Sequence, residues 1–297
     1  MNLSINFKPY PIKTISIREE EYPSSLKNIQ DPPKVIYIRG TLPTKSEICF
    51  AIVGTRKCSP YGKQIASEIA QDLAEAGLTI VSGLAPGIDT SVHKAVVKRK
   101  RKTIAVLGTG LDPKSIYPKT NLGLAKEILD TGGCLISEYK PDIHGSKFTF
   151  PQRNRIIAGL SVGVLVVEAP LKSGALITAN WAFLQNKKVF AVPSSVYSTR
   201  SKGCHFLIKK GAKLVESSED ILCELEIKKE KRHKPTSGIK SKEEKIILDV
   251  LTQPMHIDKI IEKTGLPVSS VNKTLAILEI EGKVRNLGGN TYALGNR

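Results

Sequence analysis

The sequence predicts an α/β protein with an open, doubly wound, mostly parallel sheet, followed by a small C-terminal winged helix-turn-helix domain. Short apolar segments alternate with helical stretches, which is typical of buried parallel strands joined by crossover helices. A polar, charged segment then precedes three further helical patterns and a hairpin pattern. The predicted strands of the large sheet are residues 48–53, 78–81, 103–107, 134–136, 163–167 and 188–192.

Before these strands, residues 1–46 are rich in proline, which breaks helices and favours extended segments and turns. We expect an N-terminal extension with one short strand at residues 35–38. The α/β domain is then predicted to span residues 47–225.

The first crossover helix is the best-specified element. Ser59 can cap it, Pro60 suits its first turn and Gly77 ends it, with apolar residues recurring on one stripe between them. In a sheet built by repeating this unit, ligands bind beyond the carboxyl ends of the strands, near a switch in strand order. Candidate functional residues are therefore sought in the loops that follow strands.

Residues 226–240 are charged and lack apolar periodicity, so we expect a flexible linker there. In residues 241–297, three helical patterns precede two short strands around Gly288, Gly289 and Asn290, which is typical of a winged helix-turn-helix. Its third helix offers few charges for duplex DNA, so we expect a partner-binding or regulatory module. The polar residues expected on that helix surface are Ser269, Ser270, Asn272, Lys273 and Thr274.

Composition narrows the class of function. The 297 residues include 45 Lys and Arg against 28 Asp and Glu, a net charge of +17, which favours polyanionic partners such as nucleic acid. Apolar runs are too short to span a membrane and no secretory leader is evident, so we expect a cytoplasmic protein. Five widely spaced cysteines and five histidines show no ligand spacing, so we expect reduced thiols, no metal and no cofactor.

Loops rich in glycine and small residues follow three of the predicted strands. Each can present amide hydrogens at the start of a helix, where an anion binds. The dinucleotide fingerprint and the P-loop pattern are both absent, which disfavours NAD binding and P-loop ATP hydrolysis. Asp89, next to the second loop, is more simply explained as a helix cap. The candidate phosphate-binding residues are Gly54, Thr55, Arg56 and Lys57, then Ser82, Gly83, Ala85 and Gly87, and finally Ser173, Gly174 and Thr178.

The segment from residue 147 to residue 155 combines three cations with two aromatic rings. Cations that bind the backbone and rings that stack on bases suit single-stranded nucleic acid. We predict contacts from Lys147, Phe150, Arg153 and Asn154. For both arginines, Arg153 and Arg155, an ion pair with a carboxylate such as Glu138 or Glu168 is the alternative, and for Arg155 the two interpretations are equally supported.

Other polar features have simpler explanations. The basic run at residues 98–102 suits a solvated loop at a helix end. His93 suits a packed or capping residue. No catalytic constellation is evident from spacing, so no catalytic residue is predicted.

Many ordered blocks between residues 22 and 215 resemble the DNA-processing protein A family of bacteria, also called DprA or Smf. The most distinctive is the run Phe150-Pro151 with Arg153 to Ser161. The others include residues 51–56, 82–85 with 87–89, 108–112 with Tyr117-Pro118, 173–179 and 191–193.

The resemblance implies a Rossmann-like fold that binds single-stranded DNA without base preference, forms a homodimer, protects incoming strands in natural transformation and helps load the recombinase RecA. It implies no enzymatic activity. It also implies that Arg56 contacts DNA phosphate, and that Lys147 and Phe150 occupy the family's lysine and base-stacking positions. Many members have a C-terminal winged-helix domain.

The chain departs from the family pattern at Pro86, where arginine is frequent, and at Ser194, where glycine is frequent. Its N-terminal segment leaves room only for a remnant of the family's helical domain. Two other functions stay open. Related folds cleave nucleoside monophosphates, in which Glu168 could serve, and the winged domain could act as a duplex-binding regulator.

Overall fold

The computed structural model describes residues 5–227 and 242–295. The chain divides into two compact units, Met1–Glu230 and Lys231–Arg297. The predicted linker, residues 226–240, lies almost wholly outside the described residues. Within the described ranges, no helix combines the length and apolar character needed to cross a bilayer.

The first unit is built on a nine-stranded sheet in the order β1-β2-β6-β5-β4-β3-β7-β8-β9. Strands β3 to β9 pair in parallel, whereas β1 pairs antiparallel with β2 and β2 antiparallel with β6. The strands are β1 Lys13–Ser16, β2 Val35–Gly40, β3 Cys49–Val53, β4 Thr79–Ser82, β5 Thr103–Val106, β6 Cys134–Ser137, β7 Gly163–Val166, β8 Lys188–Ala191 and β9 Lys213–Leu214.

Strand order reverses between β3 and β7, because the chain adds β4, β5 and β6 on one side of β3 and β7 to β9 on the other. All six strands predicted for the large sheet form, and their ends agree with the prediction to within one residue. The doubly wound α/β class predicted from the sequence is therefore confirmed.

Helices cover both faces of the sheet. One face packs against α1, α5, α6 and α7, and the other against α2, α3 and α8, while α4 packs beside α3. The helices are α1 Ser24–Lys27, α2 Pro60–Glu75, α3 Ile88–Lys98, α4 Leu122–Asp130, α5 Thr149–Leu160, α6 Gly174–Leu184, α7 Lys202–Lys209 and α8 Ser218–Glu224. A 3-10 turn, Lys119–Asn121, precedes α4.

The N-terminal residues differ from the prediction. They were expected to form an extension separate from the domain, but β1 and β2 extend the edge of the same sheet, and Ile15 and Ile36 are buried in its core. Strand β1 has one apolar residue, Ile15, between polar ones, so it lacks the apolar run that marks the other strands. The domain therefore begins well before residue 47.

The second unit has the predicted three helices and hairpin. Its elements are α9 Lys242–Val250, β10 Met255–His256, α10 Ile257–Thr264, α11 Val268–Ile280, β11 Val284–Asn286 and β12 Thr291–Leu294. The turn between β11 and β12 has positive φ at Gly288, Gly289 and Asn290, as a tight hairpin requires. Thr274 is buried, contrary to the expectation that it faces solvent, because it lies on the stripe of Val271 and Leu278.

Candidate nucleic-acid interface

A cleft of about 1040 Å³ lies at the carboxyl ends of the parallel strands, across the reversal between β3 and β7. Sheets of this kind bind ligands at such a position. Twelve of the fifteen predicted binding residues line it, so the loops that were predicted separately do converge. They are Gly54, Thr55, Arg56, Lys57, Ala85, Lys147, Phe150, Arg153, Asn154, Ser173, Gly174 and Thr178. Ser82, Gly83 and Gly87 do not line the cleft.

The lining of the cleft is strongly cationic. Seven exposed cations surround it, and the carboxylate in its lining, Asp89, is buried against Arg153. Such a surface attracts phosphate groups. The exposed cations are Arg56, Lys57, Lys114, Lys119, Lys147, Lys172 and Arg200.

The loop after β3 is held in place from three sides. The amide of Thr55 donates to the carbonyl of Glu168 at 2.7 Å. Gly87, at φ +86°, approaches so closely that a Cβ would lie 2.4 Å from the Thr55 carbonyl oxygen. Arg200 Nε donates to the Lys57 carbonyl at 2.8 Å. Gly87 therefore supports the loop that presents Arg56. This packing explains why glycine is needed at residue 87, and no ligand contact is required.

Glu168 supports the start of α2. Its carboxylate accepts from the Ser59 amide at 2.8 Å and from the Ser59 hydroxyl at 2.6 Å. Ser59 in turn caps the helix by accepting from the Gly62 amide at 3.0 Å, as predicted. Glu168 is 2% exposed and does not line the cleft.

Asp89 and Arg153 form a buried network where the sequence predicted phosphate ligands. Asp89 Oδ2 accepts from the amides of Gly83 and Ala85 at 3.2 and 3.3 Å. Arg153 donates to the carbonyls of Gly83 and Val106, and burial lowers its pKa to about 10, so it stays cationic at neutral pH. The anion that occupies this loop is therefore the protein's own carboxylate.

These contacts correct part of the predicted interface. The Ser82 hydroxyl is not free to donate to a phosphate either, because it donates to the Ile52 carbonyl at 2.7 Å. We therefore leave Ser82, Gly83, Gly87 and Arg153 out of the interface proposed below. Asp89 was expected to cap α3, but the N-cap position is Gly87 and no side chain caps that helix start. Asp89 lies in the first turn of α3 and accepts from amides of the loop before it.

Phe150, in the first turn of α5, is half-buried beside Arg56. The guanidinium carbon of Arg56 lies 5.4 Å from the ring centroid, a cation–π contact. Backbone crowds the ring too, because a Cβ at Gly108 would lie 2.8 Å from its Cδ1 atom and one at Gly145 2.5 Å from its Cζ atom. The residue predicted to stack on a base is thus held in a fixed position.

The third predicted loop begins α6. Ser173 caps the helix by accepting from the Ala175 amide at 3.3 Å, and Asn154 Nδ2 donates to the Gly174 carbonyl at 3.1 Å. Thr178, one turn later, is 2% exposed and lines the cleft. This helix start, with Lys172 beside it, suits a phosphate group.

Arg155 is structural. It forms a bidentate ion pair with Glu138, in which Nη1 and Nη2 donate to the two carboxylate oxygens at 2.7 and 2.6 Å. Its Nε also donates to the Asp31 carbonyl at 2.9 Å. Its side chain is 3% exposed and lies outside the cleft lining. The sequence left open whether Arg155 contacts DNA or pairs with a carboxylate, and the structure supports the ion pair.

The remaining sequence features lie away from the cleft. His93 is fully buried, with Nδ1 2.8 Å from the Thr103 hydroxyl, and burial lowers its pKa to about 3. The basic run after α3 lies at the opposite edge of the sheet, where Arg99 pairs with Glu75 and Lys102 with Glu47. In the described part of the chain, no group of three or more His, Cys, Asp or Glu side chains is arranged to hold a metal ion.

Sequence reasoning missed half of the cleft wall. Lys114, Tyr117 and Lys119 lie in the loop from β5 to α4 and Arg200 in the loop after β8, whereas His144 and Lys172 lie in the loops before α5 and α6. All four loops follow strands at the ligand-binding edge, which was the available signal. The missed residues are Lys114, Tyr117, Lys119, His144, Lys172 and Arg200.

The fold and the cleft define a Rossmann-like α/β protein with a cationic, aromatic-lined groove at its ligand-binding edge. Residues 13–226 match the family model of DNA recombination-mediator protein A, and residues 231–290 match that of the DprA winged helix domain. The chain belongs to the DNA recombination-mediator protein A family. The resemblance inferred from the sequence, and the winged-helix assignment, are thereby confirmed.

Individual members of this family are similar to the chain over most of its length. The DNA processing protein DprA of Streptococcus pneumoniae is 44% identical over 225 residues, which are 76% of this chain and 78% of that protein. Protein Smf of Escherichia coli is 38% identical over 279 residues, 91% of this chain and 74% of that protein.

Two solved structures are similar in fold. The X-ray structure of Streptococcus pneumoniae DprA superposes with a TM-score of 0.66 at 44% identity, covering 73% of this chain and 75% of that one. DNA processing protein A of Helicobacter pylori superposes with a TM-score of 0.64 at 32% identity, covering 73% and 96%, and its structure is described for its single-stranded DNA binding mode.

Proposed function

We propose that this protein binds single-stranded DNA in the cleft without base preference. The observation that supports this most directly is the lining itself, seven exposed cations around two aromatic rings. Cations bind the phosphates of any sequence, and rings stack on the face of any base. The single-stranded DNA binding described for the Helicobacter pylori relative supports the same function.

The aromatic lining favours single strands over duplex. In a duplex the faces of the bases are stacked on each other, so Phe150 has nothing to stack on. In a single strand those faces are free, and the stacking adds to the phosphate contacts. Within the proposed interface, the phosphate-binding residues are the seven cations and the helix start at Ser173 and Gly174.

We further propose that the protein acts as a homodimer, protects incoming strands and helps load RecA, as the family resemblance implies. A protein that binds every sequence equally and leaves the strand chemically intact suits such a role. Catalysis is not part of the proposal. Glu168, the residue an enzymatic alternative would need, is committed to the start of α2.

The winged domain is proposed to bind a partner or to regulate the protein. Residues 242–295 contain seven Lys and Arg and seven Asp and Glu, so this part has no net charge with which to attract a duplex. On α11, Lys273 is the basic residue available to a DNA groove among the described residues. A regulator that binds duplex DNA would need more basic residues on this helix.

The test is a fluorescence-anisotropy titration of the full chain with labelled poly-dT, poly-dA, mixed-sequence single strands and a duplex. We expect similar affinities for the single strands and weaker binding to the duplex. Arg56→Ala and Lys147→Ala are expected to weaken binding to every single strand alike. Lys98→Ala, which removes an exposed cation at the opposite sheet edge, is the matched control and is expected to bind normally.

Preference for the duplex, or affinity that depends strongly on base composition, would refute the proposal. Release of free base from nucleoside monophosphates, abolished by Glu168→Gln, would favour the enzymatic alternative. The RecA role is tested separately, by measuring whether the protein accelerates RecA filament formation on strands coated with single-strand-binding protein.

A further inference from the structure

Tyr117 is an exposed aromatic residue in the wall of the cleft. Its side chain is 49% exposed, in a lining where Phe150 is half-buried. Two lysines, Lys114 and Lys119, flank it in sequence and also line the cleft. Tyrosine left half-exposed in a cationic groove offers a stacking face and the nearby charge for a backbone phosphate.

The loop that presents Tyr117 is rigid. Ile116 and Leu111 are fully buried, and the Leu111 carbonyl accepts from Arg39 Nε at 3.0 Å. At the far end of the loop, Asn121 Nδ2 donates to the Leu84 carbonyl at 2.9 Å. The ring therefore stays at the surface because its backbone is fixed there, and a base can stack on it without first ordering the loop.

The two rings cannot enclose one base between them. The centroids of Tyr117 and Phe150 are 5.7 Å apart with an interplanar angle of 51°. A base between two rings needs parallel planes about 7 Å apart, twice the 3.4 Å spacing of stacked bases. Phe150 also has Arg56 over its ring, whereas Tyr117 has no such cation contact among the described residues.

We propose that Tyr117 is a second base-stacking platform, which holds the nucleotide next to the one on Phe150. This proposal rests on the proposed function, since it concerns the same cleft. It extends the interface toward the loop after β5 and assigns Lys114 and Lys119 to the phosphate of that second nucleotide. The ligand of this subsite is an unpaired nucleotide of any base within a DNA strand.

The test measures binding of the full chain to poly-dT and to an abasic strand of the same length, which keeps the phosphates and lacks bases. Tyr117→Ala is expected to weaken poly-dT binding by about 5- to 150-fold, the effect of one lost stack. On the abasic strand, the same substitution is expected to have no effect. Tyr117→Phe, which keeps the ring, is expected to rescue the affinity.

A double variant separates direct stacking from support of Phe150. If Tyr117 acts only through its neighbour, Tyr117→Ala adds no loss to Phe150→Ala. Direct stacking predicts a further loss in the double variant. Tyr197→Ala removes a ring that is 94% exposed and outside the cleft lining, so it serves as the control for exposed tyrosines.

Equal affinity of Tyr117→Ala and the unmodified chain for poly-dT would overturn the inference, as would an equal loss on the abasic strand. If Arg56→Ala weakens binding and Tyr117→Ala does not, the second platform fails while the proposed function stands. If the unmodified chain binds no single strand, the proposed function itself fails.

Discussion

The salt dependence of DNA binding is the most direct measure of how many cations in the cleft meet phosphates. Binding to a single strand releases counterions, so the logarithm of affinity falls with the logarithm of salt concentration at a slope of about −0.7 per phosphate contact. With all seven exposed cations engaged, the expected slope is about −5. Each cation removed is expected to make the slope shallower by about 0.7.

Arg56 and Lys147 are the best residues for this test. Neither has a salt bridge to a carboxylate in the described residues, so their removal leaves no acidic partner behind. Both lie against aromatic rings, Arg56 at 5.4 Å from the centroid of Phe150 and Lys147 at 5.1 Å from that of Phe148. Their stems are therefore partly ordered before DNA binds, which lowers the entropic cost of the phosphate contact.

The assay is an anisotropy titration of labelled poly-dT at several salt concentrations for the unmodified chain, Arg56→Ala, Lys147→Ala and the double variant. The double variant is expected to have a slope shallower by about 1.4, because separate phosphate contacts add. Lys98→Ala is expected to keep the full slope. An unchanged slope for Arg56→Ala or Lys147→Ala would mean that the residue does not meet a phosphate, whatever its effect on affinity.

Three further predictions follow from contacts around the cleft. Arg155→Ala is expected to lower the free energy of unfolding by about 3–5 kcal/mol, measured by denaturant titration, because it leaves Glu138 buried without its partner. Lowering the pH from 7 to 5 is expected to cost about 2 kcal/mol of stability through His93, whose pKa of about 3 when folded lets the unfolded chain take up the proton first. In a His93→Gln variant, the same pH series is expected to be flatter, and an equal pH dependence would contradict this assignment. Gly145→Ala places a Cβ 2.5 Å from the Phe150 ring and is expected to weaken single-strand binding with no change in salt slope; normal affinity would show that the ring can move freely.

Strands and their order of appearance could be predicted because buried parallel strands are short apolar runs between turn residues. The helix after β3 was predictable in detail, since Ser59 and Pro60 are local signals whose effect does not depend on the rest of the fold. Strand β1 has no such signal. Its four residues become a strand only because β2 offers an unpaired edge.

The loops of the cleft were predictable from their position after strands, but the direction of individual side chains was not. On α5, the residues from Arg153 to Leu160 are all buried. Charge suggested an exposed face for Arg153, whereas the helix lies across the strand ends and turns it toward the carbonyls of Gly83 and Val106. Such a partner is remote in sequence and has no side chain to mark it.

Tyr117 is the opposite case to Arg153, because it is an exposed cleft residue that the sequence did not single out. A single aromatic residue in a loop has no periodicity, so the sequence alone does not distinguish a core ring from an exposed one. Burial of its neighbours Leu111 and Ile116 fixes the loop and leaves the ring at the surface. The information is in the tertiary contacts of the flanking residues.

The internal carboxylate of Asp89 explains how a fold suited to nucleotides serves a polymer. Amide nests fix a phosphate at one position, which suits a cofactor of constant shape. Here Asp89 fills the nest at Gly83, and exposed lysine and arginine side chains on several loops supply the positive charge instead. Cations on separate loops can meet phosphates at several positions along a single strand, whereas an amide nest fixes one position. A groove of this kind discriminates poorly between sequences, and that is the property required of a protein that must bind any strand it meets.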